Sequence, residues 1–207
     1  MEDLTRAWDD LIGRHSTHPD AAATGRALLE SWAEPHRRYH TAGHLRDVLT
    51  HIEELAGHPT DPDAVRLAAW YHDSIYQGSP DDEELSAQRA EADLKRIEVA
   101  PAMVAEVARL IRLTTHHRPV AGDRNGEALC DADLAPLGVD PQQYRENTAA
   151  VRAEWAHVPA DDFRAGRARV LRELLAAPAL FHTPLARSRW ESQARANMLE
   201  ELAALGS

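Results

Sequence analysis

The stretch Val65-Arg66-Leu67-Ala68-Ala69-Trp70-Tyr71-His72-Asp73 is an apolar run that ends in two polar side chains. A histidine and an aspartate at the end of a buried helix are unfavourable unless something pairs with them. Another histidine, His44, lies upstream, and the step Asp131-Ala132-Asp133 lies downstream. Imidazole and carboxylate groups together are typical ligands of divalent metals. The order of these residues therefore predicts a metal ion that offsets the penalty of burying them.

Apolar residues recur at helical spacing along almost the whole chain, and strand-like alternation is nearly absent. One apolar stripe runs through residues 45–55. Asp61 and Pro62 then have the pattern of an N-cap and a first turn for the helix that carries the quoted stretch. No repeat, linker or change of composition divides the chain. The pattern predicts an all-α fold, a single helical bundle of about ten helices over residues 1–207.

Length and charge limit the classes of function. The chain has 207 residues, which suits one well-cored domain. Asp and Glu (34) exceed Lys and Arg (23), so the formal net charge is −11. This charge argues against a nucleic acid polymer or an anionic membrane as partner, because both require a basic face. A small phosphorylated substrate is compatible with it, since a metal and a few arginines can reverse the local field.

The chain has one cysteine, Cys130, which fits a reducing compartment. No apolar run has the length of a membrane span, and the first residues are acidic. We therefore expect a cytoplasmic protein. The sequence does not indicate its oligomeric state.

His40 and His44 are separated by four residues, a spacing that places two helical rings on one face where they can share a metal. Gly43 and the arginines before His40 indicate instead that His40 lies at the very start of the helix. We therefore expect His44 to be a ligand and His40 either to support a ligand from behind or to face a substrate. His72 and Asp73 diverge by about 100° if both are helical, so they converge on one ion only if the helix ends there.

These residues together resemble the HD superfamily of metal-dependent phosphohydrolases, which is named after the His-Asp dipeptide. More narrowly, the chain is similar to a bacterial branch of that superfamily described as predicted HD phosphohydrolases. The similarity covers nearly the whole chain, and the matching segments are residues 38–40, 44–45, 70–76, 82–87, 111–117, 131–138 and 163–167. One departure is Asp82, where the family more often has Asn.

The resemblance implies an α-helical fold and a metal held by His44, His72, Asp73 and one of the later aspartates. Asp131 and Asp133 lie about 200° apart on a helix, so both cannot face one ion in the same way. The family register favours Asp133 as the fourth ligand. Asp131 is then either close to the site or a plain N-cap.

Two-metal members of the superfamily use two further, well-separated histidines before the last aspartate. Between Asp73 and Asp131 this chain has only the neighbours His116 and His117. That arrangement favours one tightly held divalent metal. One ring of the pair is expected to face the site, preferably that of His117. Two imidazoles and two carboxylates suit Mn, Fe, Co, Ni or Zn, and suit Mg less well.

Glu83 and Ser86 are three residues apart at a helix start, where capping is the simplest role. Similarity to a family element suggests a second role for these residues. Glu83 would accept a proton from a water molecule or orient that water by a hydrogen bond, and Ser86 would bind substrate. Arg38 and Arg167 are candidates for phosphate oxygens because a planar guanidinium suits bidentate contact. An ion pair with one of the many acids is the alternative for each arginine. Tyr39 belongs to the same matched segment as Arg38 and is a further candidate for substrate contact.

The expected activity is hydrolysis of a phosphoester or phosphoanhydride in a small, nucleotide-like molecule by a metal-activated water. Asp73 is expected to accept a proton, with Glu83 or His40 assisting. Two alternatives remain, an HD-type di-iron oxygenase and a non-catalytic module that senses a nucleotide. The absence of a second separated histidine argues against the oxygenase, and the complete set of ligand residues argues against the sensor.

Overall fold

The computed structural model describes residues 2–206 and confirms the predicted all-α class. The described part holds ten α-helices, one 3₁₀ turn (Ala135–Gly138) and no strand. The helices are α1 (Glu2–Ile12), α2 (Ala21–Trp32), α3 (Ala42–Glu54), α4 (Pro62–Tyr71), α5 (Asp82–Arg96), α6 (Pro101–Thr114), α7 (Arg124–Leu134), α8 (Pro141–Glu154), α9 (Ala160–Leu175) and α10 (Pro184–Ala204). None of these described helices is long and apolar enough to cross a bilayer.

Helix α4 lies in the core, because seven of its ten residues are buried. It begins as the sequence predicts. Asp61 accepts a hydrogen bond of 3.1 Å from the amide of Ala64, and Pro62 occupies the first turn. The helix ends at Tyr71, directly before His72. His72 itself keeps a helical backbone conformation, and Nε2 of its ring lies 3.2 Å from Oδ2 of Asp73.

Helices α1 and α2 approach closely because Gly25 has no side chain. A Cβ atom on Gly25 would lie 2.2 Å from Cδ1 of Trp8. Trp8 cannot easily move, since it is buried and its indole N–H donates to the carbonyl of Ala21 at 2.9 Å. Its ring also lies edge-on against Trp70 of α4, with the ring centroids 5.2 Å apart. Trp8 thereby joins the first two helices to the central one.

Four helices, α3, α4, α6 and α7, pack against one another and bring the predicted ligand residues together. Helix α4 contacts the other three, and α7 also contacts α3 and α6. His44 lies in the first turn of α3, and His72 directly follows α4. Asp133 lies in the last turn of α7, and His117 lies shortly beyond the end of α6. Three of these helices, α4, α6 and α7, therefore end at the same place.

Candidate metal centre

The side chains of His44, His72, Asp73 and Asp133 meet in one cluster. Nε2 of His44 lies 3.1 Å from Oδ1 of Asp133 and 3.8 Å from Oδ2 of Asp73. Nε2 of His72 lies 3.2 Å from Oδ2 of Asp73 and 3.4 Å from Oδ1 of Asp133. Among the described residues, His44, His72 and Asp133 form a group that could hold a metal ion, with ligand atoms within 4.8 Å of one another.

The hydrogen bonding of His72 shows that this donor set fits a metal. Nδ1 of His72 lies 2.9 Å from the carbonyl oxygen of Ala69. A carbonyl oxygen only accepts, so Nδ1 carries the proton and a neutral ring keeps its lone pair on Nε2. Nε2 is buried and has no hydrogen-bond partner within residues 2–206, although it lies close to Asp73 and Asp133. A lone pair and two carboxylates that converge in this way are stabilised by a cation, and the backbone contact of Nδ1 is typical of a metal-binding histidine.

The same cluster attracts positive charge in its metal-free form. Burial disfavours a charged imidazole, but the carboxylates of Asp73 and Asp133 outweigh it and raise the pKa of His72 well above its usual range. Burial also opposes ionisation of the two carboxyl groups, yet the charge of His72 lowers the pKa of each. Hydrogen bonds from His117 and His44 lower the pKa of Asp133 further. A proton on His72 therefore occupies the position that suits a metal ion.

His117 approaches Asp133 from the end of α6. Its Nε2 lies 2.7 Å from Oδ2 of Asp133, so the two oxygens of this carboxylate contact different histidines. The φ angle of His117 is 51°, in the left-handed region that favours glycine after a helix. A positive φ is unfavourable for a residue other than glycine, and such residues cluster at functional sites. The neighbouring His116 is exposed.

Asp131 has a different role from Asp133. It is fully buried, and its two oxygens accept hydrogen bonds from the backbone amides of His182 at 2.8 Å and Thr183 at 2.7 Å. These amides directly precede α10, so Asp131 interacts with the positive end of that helix. Burial raises the pKa of Asp131 in spite of these bonds. Of the two aspartates, Asp133 is the one that lies in the cluster.

A cleft of about 1170 Å³ opens beside the cluster. Its wall includes many of the predicted site residues, namely Tyr39, His40, His44, Glu83, His117, Asp133 and Arg167. Arg167 forms a bidentate ion pair with Glu201, with distances of 2.8 and 2.9 Å. Arg118 also lines the cleft, is exposed and has no ion-pair partner in the described part of the chain. Arg118 therefore brings a positive charge, unpaired among the described residues, to the cleft wall, whereas the charge of Arg167 is balanced by Glu201, the ion pair that was the alternative for this arginine.

Glu83 lies in the first turn of α5 and faces the cleft. Burial, together with the nearby carboxylates of Asp73 and Asp82, raises the pKa of Glu83. A carboxyl group with a raised pKa on the wall of a cleft is a candidate for proton transfer.

Two predicted substrate contacts, Ser86 and Arg38, lie away from the cleft wall. Ser86 is fully buried, and its hydroxyl accepts a hydrogen bond of 3.0 Å from the amide of Ile75. Arg38 is exposed, and its guanidinium donates to the backbone carbonyl of Pro35. Substrate contact by these two side chains stays a prediction, and the structure gives each of them a local partner. Ser86 holds the segment that follows Asp73, because its hydroxyl is used by that backbone, and Arg38 contacts its own loop.

His40 precedes helix α3 instead of opening it. The helix begins at Ala42, with Thr41 as the N-cap. The ring of His40 still contacts that of His44, with centroids 5.6 Å apart. The two rings are therefore neighbours as the spacing suggested, although the helix that would place them on one face does not reach His40.

Three further residues lie near the site in roles that the sequence did not predict, although Arg37 was a weak candidate for a phosphate contact. Glu154 lies 2.8 Å from Nδ1 of His40, and His182 lines the cleft. Arg37 is buried, and its Nη1 donates to the carbonyls of Asp73 at 2.8 Å and His40 at 3.2 Å. Glu154 and His40 are 114 residues apart in the chain, and Arg37 and Asp73 are 36 residues apart. No local spacing could therefore have revealed them.

Comparisons with known proteins add no assignment, because no family model, curated protein or solved structure matches the chain. The resemblance to the HD superfamily stays a prediction. A proposal of function therefore rests on the geometry of the cluster and the cleft.

Proposed function

We propose that this chain is a metal-dependent phosphohydrolase that acts on a small phosphoester or phosphoanhydride, with nucleotide-like molecules as the candidate substrates. The observation that carries the proposal is the convergence of His44, His72, Asp73 and Asp133, with the buried Nε2 of His72 facing two carboxylates. Hydrolysis of a phosphate compound requires an activated water and neutralised charge, and a single metal site can supply both.

The residues around the cluster have properties that this reaction requires. When bound, a divalent metal lowers the pKa of water and offsets the charge of a phosphate group. Asp73 is ionised, because His72 lowers its pKa, and can accept a hydrogen bond from water. Glu83 has a raised pKa and can hold or accept a proton in the cleft. Arg118 supplies positive charge for phosphate oxygens, and Arg167 can contact them if it exchanges its ion pair with Glu201.

One divalent metal per chain is part of the proposal. Within the described residues, the His44, His72 and Asp133 group is the one set of three potential ligand residues close enough for a metal ion. Mn, Fe, Co, Ni and Zn suit imidazole nitrogen and carboxylate oxygen together, and Mg suits them less.

Metal content followed by phosphate release tests the proposal. Metal-free protein is titrated calorimetrically with Mn²⁺, Fe²⁺, Co²⁺, Ni²⁺ and Zn²⁺, and each form is assayed against nucleotides and sugar phosphates. We expect one metal per chain and phosphate release in the wild type. His72→Ala and Asp73→Ala should lose both while their helical circular dichroism persists. His157→Ala is the matched control, since this histidine is exposed and its ring stacks on Trp155.

Three outcomes would contradict the proposal. Phosphate release that survives in His72→Ala shows that the cluster is not the site of reaction. Two irons per chain with oxygen uptake indicate an oxygenase. Tight nucleotide binding without turnover under every metal indicates a sensing module.

A further inference from the structure

Glu154, the last residue of α8, has an unusually complete set of partners for a buried carboxylate. Its side chain is 2% exposed. Oε1 accepts hydrogen bonds from three consecutive backbone amides, those of Arg38 at 2.7 Å, Tyr39 at 2.8 Å and His40 at 2.9 Å. Oε2 contacts Nδ1 of His40 at 2.8 Å and accepts from the hydroxyl of Tyr76 at 3.1 Å. One carboxylate therefore fixes both the backbone and the ring of His40.

These contacts determine which nitrogen of His40 carries the proton. Burial opposes ionisation of Glu154, but hydrogen bonds from His40 and the loop amides lower its pKa to about 2. An ionised carboxylate only accepts hydrogen bonds, so Nδ1 of His40 must donate. A neutral ring then has its lone pair on Nε2. Among the described residues Nε2 has no hydrogen-bond partner, and it is not one of the buried unpaired atoms.

Aromatic contacts hold the ring of His40 in the same orientation. The ring of Tyr76 stacks on it, with centroids 4.2 Å apart and planes 29° from parallel. Tyr39 contacts it edge-on, with centroids 4.9 Å apart. His40 lines the cleft next to His44 and faces the space beside the His/Asp cluster. The free nitrogen is thus accessible on a ring that is held on two sides.

We propose that Glu154 is a positioning residue that fixes His40 in its Nδ1–H tautomer, so that Nε2 accepts a hydrogen bond from water or a substrate hydroxyl in the cleft. The inference rests on the proposed hydrolase function for its catalytic consequence. Its structural content, the tautomer of His40, does not depend on that function. A simpler role for Glu154 is to hold the backbone of residues 38–40 by hydrogen bonds. In that case the tautomer of His40 has no effect on activity.

Glu154→Gln separates these two roles. The three backbone amides at Oε1 require an acceptor there, so the carboxamide oxygen of the glutamine is expected to take that position. Its NH₂ group then faces Nδ1 of His40 as a donor, which favours the Nε2–H tautomer. The backbone of residues 38–40 then keeps its hydrogen bonds to the side chain at position 154. The ring of His40, however, presents an N–H donor to the cleft in place of an acceptor. Replacement of one oxygen by one nitrogen is the smallest change that reverses the hydrogen bond.

Glu127→Gln is the matched control. Glu127 lies in α7 and its Oε2 contacts Nε2 of His58 at 2.7 Å, so this chain contains a second His–Glu pair. Neither residue lines the cleft. The control repeats the same chemical change at a similar contact. It should alter the hydrogen bonding of His58 and leave His40 unchanged.

Two measurements test the proposal. Long-range ¹H–¹⁵N NMR of histidine-labelled, metal-free protein reports which ring nitrogen is protonated, and the signals of His40 are identified by their loss in His40→Gln. We expect Nδ1–H in the wild type and in Glu127→Gln, and Nε2–H in Glu154→Gln. Metal-loaded Glu154→Gln should lose kcat by roughly a hundredfold or more, with KM and metal content near those of the wild type. Glu127→Gln should keep normal turnover.

An Nε2–H tautomer in the wild-type protein overturns the proposal without any variant, so misfolding of Glu154→Gln cannot hide the answer. A reversed tautomer of His40 in Glu154→Gln with unchanged kcat also overturns the proposal. Glu154 would then only hold the backbone of residues 38–40. If no phosphate compound is hydrolysed by the wild type, the hydrolase function fails. In that case the NMR result still decides whether Glu154 positions His40.

Discussion

Asp131→Ala should destabilise the protein strongly and leave its metal in place. The carboxylate of Asp131 is fully buried and accepts two backbone hydrogen bonds, from His182 and Thr183. A hydrogen bond to a charged group contributes about 1.5–3 kcal/mol, and the two amides lose their acceptor. Because burial raises the pKa of Asp131, we take the lower part of the summed range, about 3–5 kcal/mol. For a chain of this size that corresponds to a fall in Tm of roughly 6–20 °C.

Asp133→Ala, two positions later in the same helix, is the matched comparison. Urea unfolding with a chelator present measures the stability of both variants, and metal analysis after dialysis measures their content. We expect Asp131→Ala to shift the unfolding midpoint and retain one metal, and Asp133→Ala to lose the metal. Asp131→Asn, which keeps the shape of the side chain, serves if the alanine variant does not fold. The reasoning is refuted if Asp131→Ala loses the metal while its unfolding midpoint is unchanged.

Three further predictions follow from single contacts. His117→Gly should be more stable than His117→Ala by about 1 kcal/mol in chemical denaturation, because only glycine adopts a positive φ freely. Equal stabilities of the two variants would contradict the φ of 51° at this position. Metal affinity should fall by about tenfold per pH unit below the raised pKa of His72, since protonation of His72 competes with the metal. Calorimetry between pH 5 and about 8 measures this affinity, and an affinity that does not change with pH would count against His72 as a ligand. Gly25→Ala should lower the free energy of unfolding by about 1–3 kcal/mol because its Cβ meets Trp8, whereas Gly57→Ala, with open space around it, should not, and equal effects would show that Trp8 moves aside.

The fold class could be predicted from the sequence because helical periodicity is a local property. The apolar spacing of residues 62–71 and the cap at Asp61 both lie within one helix, and the structure confirms them. His72 and Asp73 could be placed together because they are adjacent in the sequence and directly follow the helix that this pattern predicts. The helices and the adjacent pair of His72 and Asp73 could therefore be predicted from local sequence.

Roles that depend on distant partners could not be predicted in this way. Asp131 and Asp133 look equivalent in the sequence, and they differ because Asp131 meets the start of α10, 51 residues away. The spacing of Glu83 and Ser86 likewise does not reveal that the hydroxyl of Ser86 contacts the backbone of Ile75. Glu154 had no signal at all, since its importance comes from a loop 114–116 residues earlier in the chain.

Three helices, α4, α6 and α7, end at one place. This arrangement affects the order in which a cation and a phosphate compound can bind. Each helix presents the negative end of its dipole there, beside the ionised groups of Asp73 and Asp133. A phosphate compound that arrives first is repelled by this field, whereas a cation is attracted. For the proposed hydrolase we therefore expect the metal ion to bind before the phosphate compound. Excess substrate should not compete with the ion for the free protein.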